Sequence, residues 1–258
     1  ASSVHPVGLP DEVCIVDGEL DLSDLEDYIT PRTRMFGLCN PHNPVGRVWT
    51  KDELNAVGEI CKRHGVIVVS DEIHEDFIFE GTHQIFAEAG DGFADFTVTC
   101  TAPSKTFNLA GLIGSYHIIY NGRLHDRVMK ESSLCHYNSM NVLSMYALMG
   151  AYSEEGMAWT DQMREVIGRN VELAACLERA EGVSLSRPQG TYMLFPDFTK
   201  WCEIKGKSMD ELEEACWDVG VALQDGRMFH GEHNVRINLA LPEAWVKEAL
   251  DRLEKYVL

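Results

Sequence analysis

The sequence predicts an α/β protein: a partial large domain with a mostly parallel sheet over residues 1–155, then a small α+β domain over 156–258. Three observations carry this. Between residues 35 and 69 a capped helical pattern separates two continuously apolar runs, as in a βαβ unit whose strands are covered on both faces. A further β-branched run at 96–100 continues the alternation of strand and helix. Past Gly182 the pattern changes to short strands and two helices.

Taken in order, the opening to Asp21 has little periodicity. Ser23-Asp24-Leu25-Glu26 is a capping box, and Leu25, Tyr28 and Ile29 give its short helix an apolar face before Pro31 stops it. Residues 35–39 form the first strand and deliver the chain to Asn40-Pro41-His42-Asn43-Pro44, where two prolines forbid regular pairing. Thr50-Lys51-Asp52-Glu53 is a second capping box, with Trp49 and Leu54 placed to staple it. Leu54, Val57 and Cys61 keep helical spacing until Gly65. The strand at 66–69 follows and ends at Asp71, the edge where an open α/β sheet places its ligands.

The strand at 96–100 leads to Lys105, and 115–120 reads as a fourth strand. Helices follow at 123–134, 140–152 and about 154–179, the last with Val166, Ile167, Val171, Ala174 and Leu177 as an inward stripe. In the small domain, 192–195 and 235–239 are strands. Ser208 to Glu211 caps a helix that buries Leu212, Ala215, Cys216 and Val219 and closes at Gly220. Pro242 starts a last helix with Val246, Leu250, Leu253 and Val257 inward.

Composition narrows the function. With 22 basic and 41 acidic residues the net charge is −19, which opposes nucleic-acid binding. No apolar run approaches a membrane span of roughly 18 residues, and residues 1–10 show no leader pattern, so a cytoplasmic protein is expected. Eight cysteines form no C-x-x-C pair and no cluster with histidine, so no metal site is expected.

The residues that carry chemistry stand in three stretches: Asn40-Pro-His-Asn-Pro-Val-Gly46, Asp71-Glu-Ile-His74 and Ser104-Lys-Thr-Phe-Asn108. A lysine at a strand end suits Schiff-base chemistry with a carbonyl, although lysines are mostly exposed and a solvated turn is the alternative. In order and spacing the three stretches resemble the signature of fold-type I pyridoxal-phosphate enzymes, the aspartate aminotransferase superfamily. Within it they resemble the MalY/PatB group of cystathionine β-lyase-type carbon–sulfur lyases.

The resemblance implies the fold-type I transferase fold, with pyridoxal 5'-phosphate as cofactor and a small-molecule amino acid substrate such as cystathionine or a cysteine-like thioether. It makes Lys105 the catalytic and Schiff-base lysine, Asp71 the partner of the pyridine nitrogen, and Asn43 and His74 the contacts to the ring oxygen. Ser104 lies beside the phosphate and Arg236 clamps the substrate carboxylate. A helix cap for Asp71, a structural histidine for His74, a turn asparagine for Asn43 and a buried ion pair for Arg236 are the alternatives. Gly190-Thr191-Tyr192 also resembles a family segment, without an assigned role.

Two departures bear on the reaction. Where aminotransferases carry a phosphate-binding arginine, eight residues past the lysine, this chain has Ile113, and Ala102 replaces a common serine three before it. The change at 113 fits the lyase group, which also tends to lack that arginine, better than transamination. The resemblance also begins well inside the family's large domain, so the chain resembles a C-terminal portion of an enzyme that is a homodimer when whole. The phosphate loop would belong to the missing part. The implied reaction is α,β-elimination of a thioether amino acid to pyruvate, ammonia and a thiol. The alternatives are transamination and, in another class, a truncated non-catalytic domain that does not bind the cofactor by itself.

Overall fold

The computed structural model describes residues 25–137 and 139–258, together with the backbone at 15–16 and 19–20. Those two short segments, β1 (Ile15–Val16) and β2 (Glu19–Leu20), pair antiparallel. The helix α1 (Leu25–Tyr28) buries Leu25, while the Ser23 capping box lies outside the described residues.

The larger sheet holds β3 (Met35–Cys39), β4 (Ile67–Asp71), β5 (Thr97–Thr101) and, beyond the short helix α3 (Pro103–Thr106), β6 (Tyr116–Ile118). They lie in chain order, the first three parallel and β6 antiparallel at the edge. Helix α2 (Lys51–His64) makes the crossover between β3 and β4. Its expected capping box is present, Thr50 and Glu53 satisfying each other's backbone N–H, and Gly65 ends it at φ 65°. The Val66 amide donates to Cys61 O to complete that cap, so β4 starts one residue later than the apolar run. For a similar reason β5 starts at Thr97: the Phe96 amide is committed to a tight turn through Phe93 O.

Beyond β6, helices α4 (Gly122–Leu134) and α5 (Val142–Ala151) leave apolar side chains exposed, among them Leu134, Leu143, Tyr146 and Met149. Helix α6 (Glu154–Ala174) runs on through a 3-10 turn to Arg179 and buries Ile167, Val171, Ala174 and Leu177, with Val166 half-buried. The second sheet is built from β7 (Met193–Leu194), β8 (Gln224–Asp225) and a central β9 (Val235–Asn238), all antiparallel. Around it pack α7 (Thr199–Lys205), α8 (Met209–Asp218) and α9 (Glu243–Tyr256). Pro242 is the N-cap residue of α9 rather than part of its first turn. Among the described residues no helix is long and apolar enough to cross a membrane.

The interior forms two clusters. One joins Trp49, Leu54, Val57, Val68, Phe86 and Phe93 around α2 and β4. The other joins Ile167, Val171, Leu212, Val235 and Leu250 around α6 and β9, and Phe77 from the first half of the chain belongs to it. The reason is a backbone seam: Thr191 N donates to Phe77 O (2.8 Å) and Phe79 N to Gln189 O (2.7 Å). The Gln189 side chain in turn accepts from Arg47 Nη1 at 2.8 Å, and Arg47 pairs with Glu53 of α2 at 2.6 Å.

Candidate active site

The three parallel strands end level with one another. Asp71 stands in register with Cys39 on one side and Cys100 on the other, so β3, β4 and β5 release their connections at one edge. Those connections carry Asn43, then Asp71 and His74, then Ser104 and Lys105. The carboxyl edge of parallel strands is where such sheets bind ligands, because the connecting loops diverge there.

Asn43 is held by a folded loop with cis bonds at Asn40-Pro41 and Asn43-Pro44, anchored by Asn40 N to Asp71 O at 2.9 Å. Its Oδ1 accepts from Arg236 Nη1 at 3.3 Å, across 193 residues of sequence. Arg236 lies on β9, directly opposite Gln224 of β8, and donates through Nη2 to Gln224 Oε1. Its guanidinium carbon sits 4.4 Å from the centre of the Phe229 ring. Burial lowers its affinity for its proton. Among the described residues its neighbours are neutral, and no carboxylate pairs with it there. A planar fork supported by neutral groups keeps its charge available for a carboxylate.

His74 is 2% exposed, and among the described residues neither ring nitrogen has a hydrogen-bond partner. Burial first, then the positive charges of Lys105 and Arg236, push its pKa down to about 4. The imidazole is therefore neutral near pH 7, able to donate from one nitrogen and accept at the other. Tyr192 meets it edge-on, ring centres 5.2 Å apart, and burial raises the Tyr192 hydroxyl pKa. Tyr192 is held there by Thr191, fully buried at φ 65°, whose hydroxyl accepts from Met193 N. Sequence had marked this Gly-Thr-Tyr segment without a role; the fold brings its tyrosine against His74.

Lys105 and Ser104 are half-buried on α3, a helix of four residues. Two threonines flank them: Thr101 Oγ1 donates to Glu75 (3.0 Å) and Thr106 Oγ1 to Asp76 (2.7 Å). Asp71 is exposed, and its Oδ1 accepts from Ile73 N at 3.2 Å to close the turn that leads to His74. Ile113 is 79% exposed at φ 49°.

A neighbouring network had no signal in sequence. Glu72 is fully buried; its Oε1 accepts from Ser70 Oγ (2.8 Å) and Phe86 N (3.1 Å), and its Oε2 meets His83 Nε2 at 2.7 Å. Glu75 lies 3.9 Å from the same nitrogen. Ligand atoms of the three side chains fall within 4.8 Å of one another, but both Glu72 oxygens are engaged by the fold itself.

Cystathionine β-lyase PatB of Bacillus subtilis is 36% identical over 242 residues, 91% of this chain and 61% of PatB. Protein MalY of Escherichia coli is 31% identical, covering 96% of this chain and 63% of MalY. Aspartate aminotransferase of Geobacillus stearothermophilus is 30% identical over 90% of this chain and 60% of its own. Among solved structures, a PLP-bound putative aminotransferase from Clostridium difficile superposes with TM-score 0.85 at 36% identity, covering 93% of this chain and 62% of that one. Cystalysin from Treponema denticola, which contains pyridoxal 5'-phosphate, gives 0.83 at 33%, covering 92% and 61%. The chain thus spans about three-fifths of the length of these relatives and shares their partial fold-type I architecture. The family profile for aminotransferase class I and II matches residues 5–253, and the chain belongs to that family.

Proposed function

We propose that the whole protein is a pyridoxal-phosphate-dependent carbon–sulfur β-lyase acting on thioether amino acids such as cystathionine. The observation that carries this reading is the buried His74, both of whose ring nitrogens lack a partner among the described residues and which feels the charges of Lys105 and Arg236. Two orphaned nitrogens at a strand edge call for a polar ligand, since burying them unpaired is costly.

The donor set fits pyridoxal phosphate. Asp71 would hold its ring nitrogen, Asn43 and His74 its ring oxygen, Ser104 its phosphate and Lys105 its aldehyde carbon. When bound, the cofactor supplies an electron sink for a carbanion at the substrate Cα. Arg236 binds the substrate carboxylate with its planar fork and fixes the amino acid's direction. The Lys105 amine, freed once the substrate's own amine has replaced it, would take the Cα proton. As the Cα=Cβ bond forms, the Cβ–S pair leaves on sulfur as thiolate, and the released aminoacrylate hydrolyses to pyruvate and ammonia. The neutral His74 donates a hydrogen bond without adding charge beside the two cations.

Similarity to aspartate aminotransferases supports transamination as the second reading. The greater identity to PatB and the isoleucine at 113 favour the lyase. We place the enzyme in the cytoplasm as a homodimer; the exposed apolar face of α4 and α5 supports a covered surface in an assembly.

The test is incubation with pyridoxal phosphate, borohydride reduction and mapping of the labelled peptide, followed by cystathionine assays for thiol and pyruvate. Label on Lys105 with thiol release is expected. Keto acid without thiol would sink the lyase reading. Label spread evenly over surface lysines would sink the cofactor site in this chain.

A further inference from the structure

Lys105 occupies a helix too short to fix its own direction: α3 has four residues, and isolated helices of that length are not stable. What holds it comes from elsewhere. Thr101, the last residue of β5 and two before α3, donates its hydroxyl to Glu75 at 3.0 Å. Thr106, the residue after Lys105, is buried and donates to Asp76 Oδ2 at 2.7 Å. Glu75 and Asp76 follow His74 directly, and Glu72 N donates to Cys100 O at 2.9 Å. Arg164 of α6 fixes the far end through its Nε, which donates to Asp76 O at 3.0 Å. The turn that carries Asp71 and His74 and the segment that carries Lys105 are therefore laced together on both sides of the lysine.

We propose that Thr106 is a positioning residue: through its hydrogen bond to Asp76 it fixes the direction in which the Lys105 side chain leaves α3, toward His74 rather than toward solvent. This rests on the reading of Lys105 as the reactive lysine, but the geometry it claims exists with or without cofactor. A hydrogen bond to a carboxylate is stronger than one to a neutral acceptor, so its loss loosens the segment beside the lysine, which among the described residues is further held by the Phe107 ring against Tyr152 and Trp159. Thr101 and Glu75 form the second tie and set the start of α3, so Thr106 controls direction more than depth.

The experiment is competitive labelling of the chain with limiting acetic anhydride across pH, read by peptide mass spectrometry. Lys105 is referred to the exposed Lys51 and Lys247 in the same sample. In Thr106→Val the Lys105 labelling ratio is expected to rise about fivefold, the population change one such hydrogen bond controls, with the two reference lysines unmoved. Thr106→Ser, which keeps the hydroxyl, is expected to restore the native ratio and pH profile. Asp76→Asn keeps an acceptor, though a weaker neutral one, and is expected to raise the ratio less than Asp76→Ala, which repeats the full rise. If Thr106→Val does not fold, the Asp76 pair decides the matter. An unchanged ratio in folded Thr106→Val or Asp76→Ala overturns the proposal, as does failure of serine to rescue. Failure of the cofactor site would show separately, as absent borohydride label on Lys105 in a protein whose acetylation pattern still obeys these expectations.

Discussion

Arg236 of β9 and Asn43 of the β3 loop meet through one hydrogen bond of 3.3 Å, and that bond joins the second sheet to the ligand edge of the first. Gln224 and Phe229 complete the support, so the guanidinium plane is set by three neutral neighbours. Arg236→Lys keeps a charge but loses the fork and the stacking. It is expected to raise substrate KM about tenfold or more, with a smaller effect on cofactor labelling of Lys105. Steady-state kinetics on cystathionine measure this; a KM within about twofold of native would show that Arg236 does not hold the carboxylate.

Acid should weaken the fold through His74. Its folded pKa of about 4 lies below the ordinary 6.5, so between those values the unfolded chain binds more protons than the folded one. Its contribution is complete above pH 6.5 and is lost as pH falls toward 4, at up to about 1.4 kcal/mol per pH unit. His42, pushed to about 4 by burial, adds in the same sense. Glu75, raised by burial, acts in the opposite one. The stability gap between the native chain and His74→Asn, taken from urea unfolding, should therefore shift by about 2 kcal/mol against the native chain between pH 7 and pH 4.5. A gap independent of pH would mean that His74 titrates normally.

Elements governed by local rules were legible. Thr50 and Ser208 announce their helices because a capping box is complete within four residues, and Gly65 and Gly220 end theirs at positive φ. The inward stripe of α6 follows from spacing alone. The strand β8 was not legible, since Gln224-Asp225 carries no apolar pattern and becomes a strand only by pairing with β9. The same holds for the site. Lys105, Asp71, Asn43 and Arg236 stand in recognisable motifs, whereas Thr106 to Asp76 and His83 to Glu72 are contacts between separate segments, on which periodicity is silent.

Gly58 lies on the inner face of α2. A β-carbon there would come within 1.9 Å of the Phe93 ring, which is fully buried and stacked on Phe86 at 5.4 Å. Alanine is the better helix former by about 1 kcal/mol, yet the ring cannot retreat without disturbing the core. Gly58→Ala is expected to lower stability by about 1–3 kcal/mol, read from urea unfolding. A stabilised variant would show that the packing of Phe93 against α2 is looser than its burial indicates.

Glu72 and His83 form an enclosed contact near the sheet edge, Glu72 fully buried and the His83 side chain 12% exposed. Replacing His83 by alanine strips the 2.7 Å partner from Oε2 while Ser70 and Phe86 still hold Oε1. Half of a buried carboxylate is then unsatisfied, at an expected cost of about 3 kcal/mol. Glu72→Gln keeps an acceptor for Ser70 and Phe86 and offers an N–H to His83, so it should cost less than His83→Ala. In Glu72→Gln the further loss of His83 should cost only about 1 kcal/mol, because an amide left unpaired is penalised less than a carboxylate. A double-mutant cycle by urea unfolding measures the difference. Strict additivity of the two changes would mean that the histidine and the carboxylate are not coupled, and that Glu72 is held by Ser70 and the Phe86 amide alone.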